Sequence, residues 1–205
     1  MITVLYARLG ETALVSLLRE VKERFSHPDC AKYIDLIAEK SNAESARESL
    51  AALVLLGRAA EWMWIDTEDL ALERSQNGKP FFRDSSMTFS LTHSKGYIAA
   101  ALSDEGEVGI DIEASDYSRE KAQKLAQRYF CDGEKEEFAH APEDFLRIWT
   151  KKEAYVKLLG ITMSEQMSGG NKEKVAYRYF DVEGYPLTLC THKAAESVTF
   201  GEEKL

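Results

Sequence analysis

The chain has 205 residues, of which 44% are hydrophobic and 30% are charged, a composition typical of a folded globular protein and not of a disordered one. Lys and Arg number 26 against 35 Asp and Glu, and the resulting net charge of −9 argues against a broad surface for nucleic acid or anionic membranes. The three Cys and four His show no zinc-ligand spacing, so any metal is expected to be held by oxygen.

The first half is predicted to open with a strand and continue into a long helix. "ITVLYARL" reads as the strand, and "SNAESARESLAALVLLGRAAEWMW" reads as a helix that Ser41 or Asn42 caps. The start of the chain lacks a signal-peptide pattern, and no run approaches the roughly 20 apolar residues of a membrane span. We therefore expect a cytoplasmic protein without a membrane partner.

Three short strands separated by turns are predicted next. "SQNGKPFF" reads as a turn, and "MTFSLTHS", "YIAAALS" and "EVGIDIE" follow as strands that would form an antiparallel meander.

The second half repeats this order of helices followed by strands. A helix is predicted near "SREKAQKLAQRYF", and a second one from Pro142 to Leu159, with Gly160 placed to end it. "KVAYRYFDV", "PLTLCTH" and "SVTF" read as another meander, "MSEQMSGGNKE" as a mobile loop and "GEEKL" as a frayed tail. The sequence thus predicts an α+β protein with two similar halves, residues 1–112 and 113–205.

Two acids alternate with apolar residues in the strand "EVGIDIE". Val108, Ile110 and Ile112 share one face, whereas Asp111 and Glu113 share the other, with Cα atoms roughly 6.6 Å apart. Such acids either lie on a strand face that is exposed to solvent or form a site for a hard cation. Mg²⁺ needs only one or two carboxylates when phosphate and water supply its other ligands.

A third acid stands in the helix "FLRIWTKKEAYVKLLG". Trp149, Glu153 and Lys157 follow at intervals of four residues and form a stripe along the helix. The pair of Glu153 and Lys157 is either an ordinary surface pair or a functional one. In the second case Glu153 completes a metal site or accepts a proton, and Lys157 neutralises a phosphate oxygen.

Two further segments carry candidate phosphate contacts. Gly78 and Pro80 flank Lys79, which is either part of a simple turn or a cation presented to phosphate. His93 stands at the end of a strand and is either structural or a phosphate contact.

Taken together, these segments resemble the 4′-phosphopantetheinyl transferases of the larger Sfp-type. The resemblance rests on "GKP" (78–80), "THS" (92–94), "GIDIE" (109–113) and "WTKKEAYVKLLG" (149–160), and the pairing of the last two is the most specific. It implies two α+β halves packed as a pseudo-two-fold intramolecular dimer. It also implies a holo-[acyl-carrier-protein] synthase type of activity in a monomer.

The resemblance further implies a reaction and its residues. Phosphopantetheine would pass from coenzyme A to a serine of an acyl or peptidyl carrier protein in fatty acid, polyketide or nonribosomal peptide biosynthesis, leaving adenosine 3′,5′-bisphosphate. Asp111, Glu113 and Glu153 match Mg²⁺ ligands, Glu153 also matches the base, and Lys157 matches the lysine that stabilises the leaving phosphate. The residues that match the coenzyme A site are Lys79, Pro80, Thr92 and His93.

Other contacts of the family are harder to place on this chain. The basic residues toward the N-terminus that help to bind coenzyme A align loosely, with Arg47 as the first candidate and Lys32 or Lys40 as others. Carrier proteins are typically acidic, so a negatively charged enzyme needs a local basic face. A stripe on the helix after "GIDIE" is the expected docking site and consists of Lys121, Lys124 and Arg128.

Two alternatives use the same residues. A Mg²⁺-dependent nucleotide pyrophosphate hydrolase would use water as the nucleophile, and a non-catalytic coenzyme A-binding module would keep the pocket without turnover.

Overall fold

A computed structural model describes residues 1–169 and 174–205, which form a mixed α+β fold. The strands are β1 (Ile2–Arg8), β2 (Ala71–Arg74), β3 (Pro80–Arg83), β4 (Thr88–Ser94), β5 (Tyr97–Ser103), β6 (Val108–Ile112), β7 (Ala176–Val182), β8 (Tyr185–Thr191) and β9 (Val198–Lys204). The helices are α1 (Leu14–Arg24), α2 (Cys30–Ala38), α3 (Ala43–Trp62), α4 (Arg119–Tyr129), α5 (Asp132–His140), α6 (Phe145–Leu159) and α7 (Met163–Gly169).

The strands form two main sheets and one hairpin. The first sheet has the order β4-β5-β1-β9, the second has the order β6-β8-β7, and β2 pairs with β3. All pairs are antiparallel except β1 and β9, which run parallel with Ile2 opposite Val198. The predicted combination of helices and antiparallel strands is confirmed, while the pseudo-two-fold arrangement stays a prediction.

The predicted meander of three strands is wrong in its third member. β4 and β5 pair as expected, but β6 leaves their sheet and pairs with β8, with Val108 opposite Thr191. Side-chain hydroxyls of β4 approach the other edge of β6 and bond to its backbone amides at Ile110 and Ile112. One edge of β6 is therefore occupied by a backbone partner and the other by side chains.

Two predictions for the end of the chain are also wrong. "GEEKL" is not frayed, because residues up to Lys204 lie in β9 and pair with β1. The segment predicted as a mobile loop begins with α7, and its remaining residues 170–173 lie outside the described part of the chain. β9 belongs to the predicted second half in sequence, but it joins the first sheet and pairs with β1 of the predicted first half.

The elements pack as four layers. Leu50, Leu53 and other apolar side chains of α3 cover one face of the first sheet together with α1 and α2. The opposite face of that sheet, through Ile2 and Val4, packs on Ile110 and Leu189 of the second sheet. α6 covers the outer face of the second sheet and buries Tyr155 and Leu158 against Cys190 of β8. β6 is therefore enclosed between a sheet and a helix.

Local signals set the ends of the two long helices. The Asn42 side chain accepts a hydrogen bond from the amide of Ser45 at the start of α3, as an N-cap should. The second predicted helix begins later than expected, because Pro142–Asp144 form a 3₁₀ turn and α6 begins at Phe145. It ends at Gly160, whose φ of 64° is the left-handed value that favours glycine.

Among the described residues, no helix is long and apolar enough to cross a membrane.

Candidate functional site

β6 is buried along its whole length, so Asp111 does not lie on a solvated face, while Glu113, just after the strand, is half-buried. Val108, Ile110 and Ile112 enter the core between the sheets, which confirms that they share one face. Asp111 points to the other side and is only 6% exposed. A carboxylate buried to this degree needs charged or hydrogen-bonding partners, because an unpaired buried charge is strongly disfavoured.

Gly109 brings α6 against the face of β6 that carries the acids. A Cβ atom on Gly109 would lie 2.0 Å from the carbonyl oxygen of Ala154 and 2.4 Å from the amide nitrogen of Leu158, so only glycine permits this approach. Lys157, one residue before Leu158, reaches across the contact, and its Nζ donates to Asp111 Oδ1 at 2.7 Å. The close approach of helix to strand thus assembles the site.

Three charged groups of this contact influence one another. Burial raises the pKa of Asp111, against the opposing effects of the Lys157 charge and of hydrogen bonds from Lys157 and Thr92. Burial also raises the pKa of Glu153 to about 7, and the negative charge of Asp111 adds to the rise while Lys157 opposes it. A carboxyl group with this pKa can accept and release a proton near neutral pH.

Glu113 is held in its charged form by hydrogen bonds. Burial acts to raise its pKa, but bonds from the Ser94 hydroxyl, from Ser115 and from the Tyr117 hydroxyl outweigh that effect and lower the pKa. The Ser94 hydroxyl donates to Oε1 at 2.5 Å and the Tyr117 hydroxyl donates to Oε2 at 3.0 Å. Tyr117 is not among the residues predicted for the site, and its only sequence signal is that it follows Glu113 by four residues.

The fit of the acids to a metal ion depends on what completes the site. In the described residues, no group of three or more His, Cys, Asp or Glu side chains is arranged to hold a metal by itself. However, the negative charges of Asp111 and Glu113 both act on Glu153, so the three carboxylates lie within electrostatic reach of one another. This donor set fits Mg²⁺ if phosphate oxygens and water supply the remaining ligands, and it does not fit an all-protein metal cage.

Lys79 and Pro80 lie at the C-terminal end of α6. Lys79 Nζ donates to Glu107 Oε2 at 2.6 Å and to the carbonyl oxygen of Leu158 at 3.3 Å. The side chain of Asn77 donates to the carbonyl oxygen of Gly160. The "NGKP" turn therefore bonds one carbonyl in the last turn of α6 and one just after the helix, and it lines a cleft of about 240 Å³ that also includes Lys157.

Thr92 and His93 point to opposite faces of β4. Thr92 is 4% exposed, and its hydroxyl donates to Asp111 Oδ1 at 3.0 Å. His93 Nδ1 lies 3.0 Å from Glu48 Oε2, and its Nε2 lies 3.3 Å from Ser49 Oγ. Burial lowers the pKa of His93, and the positive charges of Lys157 and Lys40 act in the same direction against Glu48.

The three basic candidates toward the N-terminus lie in different surroundings. The Arg47 guanidinium donates to the carbonyls of Gly10 and Thr12 and pairs with Glu44. Lys32 lines a separate depression. Lys40 is the candidate connected to His93, because its Nζ donates to Ser49 Oγ at 2.7 Å.

The basic stripe of α4 is exposed along its length, and it begins next to the acidic site. The Nζ of Lys121 lies 4.4 Å from the centre of the Tyr117 ring, and Tyr117 bonds Glu113. Lys124 pairs with Glu120 on the solvent side, while Arg128 lies over the ring of Tyr129. The stripe thus runs from the candidate site toward the far end of α4.

Comparison with known proteins places a match on this part of the chain. Residues 107–193 match the family model described as the 4′-phosphopantetheinyl transferase superfamily. The chain is 40% identical over 131 residues to the 4′-phosphopantetheinyl transferase AcpT of Salmonella typhimurium, a match that covers 61% of this chain and 65% of that protein. It is 36% identical over 124 residues to AcpT of Escherichia coli K12, covering 57% of this chain and 63% of that one.

A third relative comes from a different bacterial group. The 4′-phosphopantetheinyl transferase psf-1 of Bacillus pumilus is 32% identical over 130 residues, a match that covers 60% of this chain and 54% of that protein. The chain therefore spans less than two thirds of the length of the curated relatives described here.

Proposed function

Because residues 107–193 match the family model of the 4′-phosphopantetheinyl transferase superfamily, we propose that the protein transfers 4′-phosphopantetheine from coenzyme A to a carrier protein. The acceptor is the hydroxyl group of a serine in an acyl or peptidyl carrier protein. The serine oxygen forms a bond to the phosphorus that carries the pantetheine arm, and the pyrophosphate bond of coenzyme A breaks. Adenosine 3′,5′-bisphosphate leaves.

One observation carries this proposal. β6 and α6 approach so closely at Gly109 that Asp111 of the strand and Glu113 just after it come near an acid and a lysine of the helix. Phosphoryl transfer depends on positioning and on charge neutralisation more than on covalent chemistry by the protein. A group of three carboxylates and one lysine, of which Asp111 is buried and the others are half-buried, supplies both requirements.

Each residue of this group has a separate role in the proposal. Asp111, Glu113 and Glu153 would hold Mg²⁺, which when bound neutralises charge on the pyrophosphate oxygens. Glu153 accepts the proton of the carrier serine, and its pKa of about 7 in the metal-free protein suits proton exchange near neutral pH. Lys157, now paired with Asp111 at 2.7 Å, donates to an oxygen of the leaving phosphate.

The adenosine end of coenzyme A is assigned to the neighbouring cleft. The "NGKP" turn and Lys157 line this cleft, so Lys79 and Pro80 would contact the nucleotide. His93 and Lys40 are linked through Ser49, and the charge of Lys157 in the cleft acts on His93, so these two basic groups would bind the 3′-phosphate. In this arrangement Arg47 supports the loop before α1 through its bonds to Gly10 and Thr12.

The carrier protein would dock on the basic stripe of α4. Lys121, Lys124 and Arg128 are exposed, and the stripe begins beside Tyr117, which bonds Glu113. An acidic carrier that binds here presents its serine close to the carboxylates.

The transfer can be tested by intact mass spectrometry. An apo carrier protein is incubated with this protein, coenzyme A and Mg²⁺, beside one sample with EDTA and one with the carrier serine changed to alanine. We expect a mass gain equal to one phosphopantetheine group that both controls abolish. Glu153→Gln should abolish the gain as well, whereas Glu68→Gln, a change of an exposed acid in the loop before β2, should preserve it.

Other outcomes identify the alternatives. Release of coenzyme A fragments without modification of the carrier would indicate the hydrolase. Binding of coenzyme A by calorimetry, without mass gain on several carrier types, would indicate the binding module.

A further inference from the structure

Three hydroxyl groups on one face of β4 make a regular series of bonds to the edge of β6. Ser90 accepts a hydrogen bond from the amide of Ile110 at 3.1 Å, and Thr92 accepts one from the amide of Ile112 at 3.2 Å. Ser94 accepts one from the amide of Ala114 at 3.1 Å. The hydroxyls alternate along β4, and the amides alternate along β6 and the two residues that follow it, so the two segments are held in one register. We call this series the hydroxyl ladder.

Two members of the hydroxyl ladder also bond to acids of the site. Thr92 donates its hydroxyl proton to Asp111 Oδ1 at 3.0 Å, and Ser94 donates its hydroxyl proton to Glu113 Oε1 at 2.5 Å. A hydroxyl group has one proton to donate and can accept at its lone pairs. Because the backbone amide occupies the acceptor side, the proton is left to bond the carboxylate of the preceding residue.

Ser90 differs from the other two in one respect. The residue before its amide partner Ile110 is Gly109, which has no side chain. Ser90 therefore ties the two strands together, like Thr92 and Ser94, without touching a carboxylate. The chain itself thus provides a member of the ladder that separates support of the fold from contact with the acids.

We propose that Thr92 and Ser94 are positioning residues that fix the orientation of Asp111 and Glu113 for a divalent metal. This inference rests on the metal site of the proposed function. The Thr92 hydroxyl bonds Oδ1 of Asp111, the oxygen that Lys157 also bonds, and so limits rotation of this acid and leaves Oδ2 to face the metal. For Glu113 the Tyr117 hydroxyl bonds the second oxygen, so the Ser94 and Tyr117 bonds together hold the plane of that carboxylate.

The assignment changes the role that resemblance gives to Thr92. Its side chain is 4% exposed, and its hydroxyl already donates to Asp111 and accepts from the amide of Ile112. A hydroxyl in this state has no proton left for a bound coenzyme A. Thr92 therefore acts through Asp111, and it is not a direct contact of the substrate.

The test measures binding of Mn²⁺ alone by electron paramagnetic resonance, without coenzyme A or carrier protein. Thr92→Val and Ser94→Ala remove one hydroxyl each, Ser90→Ala is the matched control, and Thr92→Ser restores the hydroxyl. Because loss of a group that orients a metal ligand typically weakens metal binding about 10- to 100-fold, we expect losses of that size for Thr92→Val and Ser94→Ala. The Mn²⁺ affinity of Ser90→Ala and Thr92→Ser should stay within about 3-fold of that of the unmodified protein, because the first removes no bond to a carboxylate and the second keeps the hydroxyl.

Thermal unfolding is recorded for every variant, because Ser90→Ala and Thr92→Val each leave one amide of β6 without its partner. Equal loss of Mn²⁺ affinity in Ser90→Ala would overturn the inference, since the hydroxyls would then act only on the fold. Unchanged affinity in Ser94→Ala and Thr92→Val, with binding intact in the unmodified protein, would overturn the inference and leave the proposed function standing. If the unmodified protein does not bind Mn²⁺, the metal site of the proposed function fails and the inference fails with it.

Discussion

Gly109→Ala should separate α6 from β6 and disable the site without changing any charged residue. The added Cβ atom would lie 2.0 Å from the carbonyl oxygen of Ala154, whereas ordinary contacts begin near 3.4 Å, so the backbones must move apart by about 1 to 1.5 Å. Overpacking by a methyl group usually costs about 1–3 kcal/mol. Here the obstacle is the backbone of a buried helix that cannot rotate away, so we expect a loss of about 3 kcal/mol.

The same displacement should reduce activity. Movement of α6 by about 1 Å lengthens the bond of 2.7 Å between Lys157 and Asp111, and it moves Glu153 away from the strand. A misplacement of this size can reduce the rate about 100-fold. For a chain of this length, each kcal/mol corresponds to about 2–4 °C in Tm, so the melting temperature should fall by about 6–12 °C.

Gly133→Ala provides the matched control. Gly133 lies in the first turn of α5, and a Cβ atom there would meet nothing within 4 Å. The substitution should be neutral or stabilise the protein by about 0.4–1 kcal/mol, because alanine restricts the unfolded chain. Differential scanning calorimetry and the mass-spectrometric transfer assay on both variants test the prediction. If Gly109→Ala loses less than about 1 kcal/mol and keeps its transfer rate, the close approach at Gly109 does not hold the site together.

Three further predictions follow from buried charges. In metal-free protein, the raised pKa of Glu153 means that the folded state binds its proton more tightly than the unfolded chain does, so stability is lost as the pH rises from about 4.5 to about 7. At about 1.4 kcal/mol per pKa unit, the loss of stability amounts to about 3 kcal/mol. Urea unfolding in EDTA should show that Glu153→Gln removes this loss. A difference in stability between Glu153→Gln and the unmodified protein that does not change with pH would contradict the prediction. Lys152 and Glu134 form a buried pair at 2.7 Å, so Lys152→Met should lower the free energy of unfolding in urea by about 3–5 kcal/mol. Adding Glu134→Gln should recover most of this loss, because it removes the lone buried charge. No recovery would show that packing, not the lone charge, causes the loss. Glu48→Gln should lower the pKa of His93 further in an NMR titration, because Glu48 is the group that opposes the effects of burial and of nearby lysines, and a rise would be inconsistent with that pairing.

Much of the candidate site was visible in the alternation and spacing of residues. The alternation in "EVGIDIE" correctly assigned Val108, Ile110 and Ile112 to one face, and the four-residue spacing from Glu153 to Lys157 put both on one side of a helix. What this pattern could not decide was whether Asp111 and Glu113 faced water. That depended on α6, whose approach requires Gly109, and a glycine inside a strand does not by itself indicate which element packs on it.

The residues that support the site were missed for a related reason. Tyr117 and Glu48 each bond a side chain of the site, but their sequence neighbourhoods show only an exposed turn and a helix face. The alternation of Ser90, Thr92 and Ser94 is visible in the sequence, yet their partners lie on β6, about 20 residues further on. Hydrogen bonds between side chains and a distant backbone leave no periodic signal.

By itself, the sequence determined the types and approximate bounds of the elements with clear local signals, such as β1, β4, β5, α3 and α6, because caps, turns and hydrophobic periodicity are local properties. Asn42 capped α3 and Gly160 ended α6 as expected. Only the tertiary structure decided that β6 pairs with β8 and that β9 returns to lie parallel to β1. Strand partners are chosen by the burial of whole faces across distant segments, and it is this choice that encloses the acids between a sheet and a helix and gives them the hydroxyl ladder as support.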